Sequence, residues 1–211
     1  MKRFSMFLIL LVLMSLACET IMGKPSQATS QSPAGQAPFQ PPVIQIPNLS
    51  GVKLGDEVRN EGCGYSFRKI PGYKYDQTPG WSEEMTAPGA TSETGPIIFF
   101  VCGSRATAST NDDLVKGLTA NTSDPNPNTY SNQKNVKIGG VNAVSLDAAG
   151  SETGGITAKG RVIVAMVTPY RVFTMIGMAP SDKWEETRPY FEAVMNSVSF
   201  FEPTTTPTAN P

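Results

Sequence analysis

Residues 161–178 read Arg-Val-Ile-Val-Ala-Met-Val-Thr-Pro-Tyr-Arg-Val-Phe-Thr-Met-Ile-Gly-Met, and this stretch decides the fold. Two apolar runs, 161–167 and 170–178, are separated by Thr168 and Pro169, which indicate a turn. Near-continuous apolar character, without the alternation of a half-solvated strand, is typical of strands covered on both faces. The stretch therefore predicts two antiparallel strands at the centre of a sheet that is buried on both sides.

Other segments predict further strands of this sheet. Residues 65–70 alternate between apolar and polar side chains, whereas 97–102 are continuously apolar and predict a strand buried on both faces. Residues 81–86 give a weaker strand signal. Residues 136–146 predict a hairpin that turns on Gly139-Gly140, because glycine adopts positive φ angles freely.

Two helices are predicted outside the strands. Asn111 is a suitable N-cap for a short helix that extends through Leu118. Ser181 is predicted to cap a second helical region, and Pro189 is predicted to split it because proline lacks an N–H and crowds the preceding turn. A last strand, 197–201, follows this helix directly.

Composition divides the chain into four segments. Positive residues at the start precede thirteen mostly apolar residues, which span only about 20 Å as a helix and are typical of a signal peptide. The predicted segments are a signal peptide (1–17), a Pro-, Gln- and Ser-rich tether (18–48), a globular domain (49–202) and a disordered polar tail (203–211).

The signal segment ends in Ser15-Leu-Ala-Cys18, which resembles the lipobox of bacterial lipoproteins. The resemblance implies that Cys18 is linked to diacylglycerol and becomes the first residue of the mature chain. Acyl chains contribute about 0.8 kcal/mol per buried CH₂, so two or three of them hold a protein on a membrane. We therefore expect an exported, extracytoplasmic protein whose lipid anchor binds the cell membrane. An ordinary secretory signal followed by an unmodified cysteine is the alternative.

Motifs near the two ends of the domain resemble the PsbP-like family. Gly64-Tyr-Ser-Phe67 and Ile70-Pro-Gly-Tyr73 are similar to its opening strand and turn, although a tryptophan is commoner at the position of Tyr73. Residues 191–200 are similar to its closing helix and strand. The resemblance implies an α+β fold, an antiparallel β-sheet flanked by helices in an α/β/α sandwich, as in bacterial lipoproteins of the LpqN type. It implies no shared catalytic residues.

Two cysteines remain after Cys18 is lipidated. Cys63 and Cys102 form an even pair in a compartment that is expected to be oxidising. A disulfide between them would stabilise the fold by about 3–4 kcal/mol, because it constrains the unfolded chain. Two separately buried thiols are the alternative, since Cys102 ends an apolar strand where a small apolar side chain fits.

Charge and composition exclude several kinds of function. The chain has 17 Lys+Arg, 18 Asp+Glu and no histidine, which argues against nucleic acid as the main partner and removes histidine-based catalysis. Paired carboxylates occur at 83–84, 112–113 and 185–186, but adjacent side chains diverge on a strand or helix. We interpret all three pairs as solvated faces or helix N-termini and predict no catalytic residue.

The polar stretch from 119 to 135 is the predicted interaction loop, because long loops without structure are uncommon unless they bind something or are disordered. It begins like a calcium loop, but the required glycine and final glutamate are missing, so we predict no metal. The candidate interaction residues are Asp124, Asn126, Asn128 and Tyr130.

The sequence favours a non-catalytic binding domain on a membrane-anchored lipoprotein. We expect a monomer without a cofactor whose partner is an envelope protein. The alternative is a small ligand held between the sheet and the C-terminal helix, over 181–196. Trp81, Trp184 and Tyr190 would suit such a groove, but core packing explains aromatic residues more often.

Overall fold

The computed structural model describes residues 51–78, 82–91, 94–120, 128–151 and 157–204. These residues belong to one unit of the chain, Ile44–Pro211. Within the described ranges, neither helix has both the length and the apolar character that crossing a bilayer requires. The predictions for the signal peptide, for Cys18 and for the tether lie outside the described residues.

The described elements are ten strands and two helices. In chain order they are β1 (Glu57–Asn60), β2 (Tyr65–Arg68), β3 (Lys74–Thr78), β4 (Ser82–Thr86), β5 (Ile97–Ser104), α1 (Asn111–Ala120), β6 (Thr129–Ile138), β7 (Val141–Ser151), β8 (Thr157–Thr168), β9 (Arg171–Pro180), α2 (Trp184–Ser197) and β10 (Ser199–Phe200).

The strands form two antiparallel sheets. The main sheet has the order β3-β4-β5-β9-β8-β7-β6, and a smaller sheet has the order β1-β2-β10. The sequence predicted one sheet, so the separate sheet around β2 is a correction. Tyr65, Ser66 and Phe67 of β2 are all buried, which shows that this strand is covered on both faces.

The predicted central pair is confirmed. β8 and β9 pair antiparallel, with Ile163 opposite Met175 and Ala165 opposite Phe173. Both strands extend beyond the predicted apolar runs, and they lie between β5 and β7 in the main sheet. The hairpin on Gly139-Gly140 is confirmed as well, with φ angles of 54° and 81°.

One face of the main sheet is sealed, as predicted for strands without alternation. Ile98, Phe100 and Met175 on this face are each 0 % exposed. α2 and the small sheet cover them, and the Phe191 ring of α2 packs so closely on β9 that a Cβ at Gly177 would overlap it. This face carries the larger hydrophobic core.

The opposite face of the main sheet is covered under α1, where Val162 and Val164 of β8 are each 3 % exposed, so the predicted burial on both faces is confirmed for β8. Toward β5 and β9 the same face is only partly covered. The side chains of Phe99, Val101, Ile176 and Met178 point to this side, because they alternate with the sealed residues, and all four are half-buried. α1 has only ten residues and packs through Leu114 on the neighbouring strands β7 and β8. We call these four residues the open face.

Aromatic packing joins the two sheets. The Phe67 ring of β2 stacks on Phe100 of β5 with 4.0 Å between centroids, and Tyr65 meets Phe173 edge to face at 5.0 Å. Beside this contact the structure bonds Cys63 to Cys102 in a disulfide whose Cα atoms are 6.0 Å apart. Of the two alternatives left by the sequence, the structure therefore has the disulfide.

The predicted cap of α1 is wrong by one residue. Thr110 is the N-cap: the Asp113 N–H donates to its hydroxyl, and its own N–H donates to the Asp113 carboxylate at 2.9 Å. Asn111 instead connects the helix to the sheet. Its side chain accepts a hydrogen bond from the Met166 N–H at 2.7 Å and donates to the Asn142 carbonyl at 2.9 Å.

α2 differs from its prediction at both ends and in the middle. It begins after Lys183, while the Ser181 hydroxyl donates to the Thr157 carbonyl, and it continues through Pro189 without a break. Proline inside a helix costs about 3 kcal/mol. Burial of Phe191, Val194 and the other apolar residues of α2 outweighs this cost, at about 1.5–3 kcal/mol for each large side chain.

The last strand is shorter than the predicted 197–201. The helix retains Ser197, and only Ser199 and Phe200 pair with β2. Phe200 lies against Gly139, where a Cβ would come within 2.7 Å of the ring. Any larger residue at Gly139 would therefore clash with β10.

Candidate functional site

The predicted interaction loop is partly a strand. Asp124 and Asn126 lie outside the described residues, Asn128 is exposed, and Tyr130 is half-buried within β6. The loop prediction is therefore wrong for 129–135, which pairs with β7 as an extension of the hairpin.

A bulge hides this strand from sequence reasoning. Between Ser131 and Lys134 the register with β7 shifts, and Asn132 adopts a φ of 51°. Tyr130 packs with the core cluster under α1, whereas Val136 packs with the core on the opposite face. The two residues are an even number of positions apart and would share a face in a regular strand, but here they lie on opposite faces. The alternation of apolar and polar residues that marks a strand is therefore not visible in the sequence.

A partly buried ion network lies where the sheet meets α2. The Arg161 guanidinium reaches Asp147 of β7 and Glu192 of α2, each at 2.9 Å, and its side chain is only 17 % exposed. Asn132 donates to the second Asp147 oxygen at 3.0 Å. Burial raises the pKa of Asp147, but hydrogen bonds from Asn132 and Arg161 outweigh it and hold the pKa below its usual range. The network therefore ties α2 to the strands.

Glu83 corrects the interpretation that all paired carboxylates are solvated. It lies in the middle of β4 and is 1 % exposed, whereas its neighbour Glu84 points to the other face. The Tyr75 hydroxyl and the Gln77 amide, both from β3, donate to Glu83 Oε1 at 2.8 and 3.0 Å. Burial raises the pKa of Glu83, and the polar groups of Tyr65, Tyr75 and Asn60 beside the carboxyl oppose this increase.

An open depression of about 310 Å³ lies beside the first turns of α2. Residues 88–90 and 94–96, Pro180, Lys183, Glu186 and Thr187 line it. One turn further along α2, Tyr190 is 41 % exposed. Burial raises the pKa of Tyr73, and the nearby Tyr190 adds to this increase. This surface lies at the edge of the space where the alternative prediction placed a ligand.

The space directly between the sheet and α2 is filled by protein. Phe191, Val194 and Met195 are at most 1 % exposed there. Trp184 is buried beside Phe191 and is a core residue, while Trp81 lies outside the described residues. A ligand would therefore bind in the depression and not underneath the helix.

The fold is shared with solved structures. No protein-family model matches the chain, and no curated protein matches it either. The solution structure of cyanobacterial PsbP (CyanoP) from Synechocystis sp. PCC 6803 is similar with a TM-score of 0.53 at 12 % identity. The similarity covers 75 % of this chain and 99 % of CyanoP.

A second similar structure is that of LpqN, involved in cell envelope biogenesis of Mycobacterium tuberculosis. It has a TM-score of 0.53 at 9 % identity and covers 69 % of this chain and 84 % of LpqN. The fold is therefore PsbP-like and α+β, as the terminal motifs implied. At these identities the likeness establishes the fold alone.

Replacing Arg161 with Leu should lower the free energy of unfolding by about 2–3 kcal/mol, because Asp147 and Glu192 then stay partly buried without their cation. The deficit should shrink as the pH falls through the lowered pKa of Asp147, because that carboxylate then becomes neutral in both proteins. Urea unfolding at several pH values measures both effects.

Arg188→Leu is the matched control. Arg188 also reaches a glutamate, Glu185, at 2.9 Å, but both side chains are exposed. Its loss should cost only about 0.3–0.5 kcal/mol. Equal losses in the two variants would contradict a buried network.

Proposed function

We propose that the protein is an exported lipoprotein, anchored to the cell membrane through Cys18, whose PsbP-like domain binds an envelope protein and is not an enzyme. The open face of the main sheet carries the binding half of this proposal. The lipobox-like sequence Ser15-Leu-Ala-Cys18 supports the anchoring half. LpqN, which shares the fold, is involved in cell envelope biogenesis, and this agrees with an envelope role.

The open face has the properties of a protein-binding surface. Phe99, Val101, Ile176 and Met178 are apolar, half-buried residues of the adjacent strands β5 and β9, in which Phe99 and Ile176 are register partners and Ile176 also packs against the core cluster under α1. Soluble proteins keep large apolar patches small, and those that remain commonly mark sites of interaction. A partner that covers these side chains would gain about 25 cal/mol for each Å² of apolar surface it removes from water.

The two edges of the open face differ in chemistry. On one side α1 stands over β7 and β8 and presents its partly buried Leu118. On the other side β4 contributes the half-buried Glu84, whose carboxylate accepts a hydrogen bond from the buried Thr86 hydroxyl. An apolar floor with a polar rim is the usual arrangement of a protein interface.

The depression beside α2 supports a second candidate function, the binding of a small ligand. Its volume of about 310 Å³ lies at the lower end of the range for ligand pockets. Proline and glycine contribute much of its lining, and Lys183 and Glu186 supply charges of opposite sign at its edge.

Cys18→Ala tests the anchor. Cells fed a palmitate analogue should label the wild-type protein and retain it in the membrane fraction, because the acyl chains partition into the bilayer. The variant should lose both the label and membrane retention, while Cys63→Ala, in which a different cysteine is removed, should keep the label. A wild-type protein that takes up no label would contradict the anchor.

Met178→Lys tests the binding surface. The lysine stem retains much of the packing of methionine while its ammonium places a charge on the open face. Co-purification with the envelope partner from detergent-solubilised membranes should fall at least tenfold. Tyr190→Lys, an exposed position on α2, is the matched control and should leave co-purification unchanged.

The same pair of variants separates the two candidate functions. Loss of the partner in Tyr190→Lys but not in Met178→Lys would contradict the open face as the binding surface and move the site to the side of α2. A ligand that raises the melting temperature of wild type and Met178→Lys alike, but not that of a Thr187 variant, would favour the depression.

A further inference from the structure

Glu83 stands at the joint between the two sheets. Its side chain projects from β4 toward the small sheet, on the same face of the strand as Met85, and Phe100 of β5 is its register partner. Only one of its oxygens is satisfied, since Tyr75 and Gln77 both donate to Oε1. Oε2 is buried and has no hydrogen-bond partner.

The small sheet places two further unsatisfied groups beside this carboxyl. The Tyr65 hydroxyl of β2 and the Asn60 Nδ2 of β1 are buried without a hydrogen-bond partner, and both residues are at least 97 % buried. Both act on the Glu83 carboxyl, so the three groups form one cluster. The Asn60 amide is also held in orientation, because its Oδ1 accepts a hydrogen bond from the Cys63 N–H at 3.0 Å.

The groups that act on the Glu83 carboxyl include no cation that would compensate its negative charge. From β3 the carboxyl meets Tyr75 and Gln77, from β2 Tyr65, from β1 Asn60 and from β5 the apolar Phe100. The Lys69 ammonium lies over the Tyr75 ring, 5.9 Å from its centroid, and is not among the groups that shift the pKa of Glu83. A buried carboxylate without a cation is costly, and the group avoids the cost by binding a proton.

We infer that Glu83 is a proton-binding site that makes the joint between the two sheets sensitive to pH. With a proton on Oε2, the carboxyl can donate to the Tyr65 hydroxyl oxygen while Oε1 keeps its two donors, and the joint closes. Without the proton, the carboxylate carries a buried negative charge that faces only neutral donors, and the contact between the β3–β4 hairpin and the small sheet opens so that water reaches Oε2. The proton comes from the solvent and returns to it.

The direction of the effect follows from linkage. Opening exposes Glu83, whose pKa then returns to the ordinary range of a glutamate, whereas burial raises the pKa in the closed state. Between these two values the closed state binds more protons, so the opening constant increases with pH by up to tenfold per unit. Above the raised pKa the increase levels off. If the domain is exported, as proposed above, the pH outside the cell sets the opening constant directly. Only this last step rests on the proposed function.

Hydrogen exchange on the full chain in detergent tests the inference. Protection factors of β2 and β4 amides, measured from pH 5 to 8, give the opening constant after correction for the intrinsic exchange rate. In the wild type its logarithm should rise with pH, with a slope that approaches one. In Glu83→Gln, which keeps the carbonyl acceptor but has no charge, the slope should be zero.

Glu84→Gln is the matched control, since the adjacent carboxylate on the opposite face is half-buried and accepts a hydrogen bond from Thr86. This variant should keep the slope of the wild type. A Glu83→Gln protein with the wild-type slope, or a wild type without any slope, would overturn the inference.

A second measurement stays valid even if Glu83→Gln does not fold. The side-chain carboxyl carbon of Glu83, followed by carbon NMR in the wild type, should titrate above the ordinary range for glutamate. Titration within the ordinary range would exclude the proton site. Neither outcome depends on Cys18 or on the open face, so failure here is distinguishable from failure of the proposed function.

Discussion

The contact between Phe67 of β2 and Phe100 of β5 is the interaction on which the rest of the structure depends. Each ring is fully buried, and burial of such a side chain contributes about 1.5–3 kcal/mol. β10 follows α2 directly in the chain and pairs with β2. By fixing β2 on the main sheet, the contact between Phe67 and Phe100 therefore also constrains where α2 lies. The disulfide and Glu83 lie in the same joint, so covalent, polar and apolar constraints act on the same pair of sheets.

This joint makes the two faces of the main sheet unequal. One face has α2 and a second sheet above it and is sealed, whereas among the described residues the other face has a ten-residue helix that packs mainly on β7 and β8. The strands β5 and β9 are apolar on both faces nevertheless. Apolar side chains that the chain itself covers only in part are the physical basis of the proposed binding function.

The sequence predicts the centre of the fold well and its periphery poorly. The β8–β9 pair and the Gly139-Gly140 hairpin are visible because apolar runs and glycine pairs have local causes. Cys63 and Cys102 left two alternatives open, since pairing depends on the approach of strands that are far apart in the chain. The resemblance of 64–73 and 191–200 to PsbP-like domains supplied the fold class, yet it did not show that these two segments form a separate sheet.

The missed features each depend on tertiary contacts. The helix continues through Pro189 because packing on both sides of it outweighs the local cost. The first part of β6, residues 129–135, has the sequence pattern of a loop because the bulge at Asn132 reverses its alternation. The sequence predicts a solvated Glu83 because adjacent carboxylates look alike in a sequence, and only the position of β3 and of the small sheet distinguishes it from Glu84. The open face could not be predicted, since apolar runs give no information on how much of a sheet the helices cover.

The free energies of unfolding of Phe100→Ala and Phe99→Ala test the central claim, that one face of the sheet is sealed and the other is open. The two residues are neighbours of the same type on one strand and differ in the face they occupy. Phe100→Ala should lose about 3–5 kcal/mol, the usual cost of removing a fully packed aromatic side chain, and Phe99→Ala should lose less than about half of that. Equal losses would show that both faces are packed alike and would contradict the account.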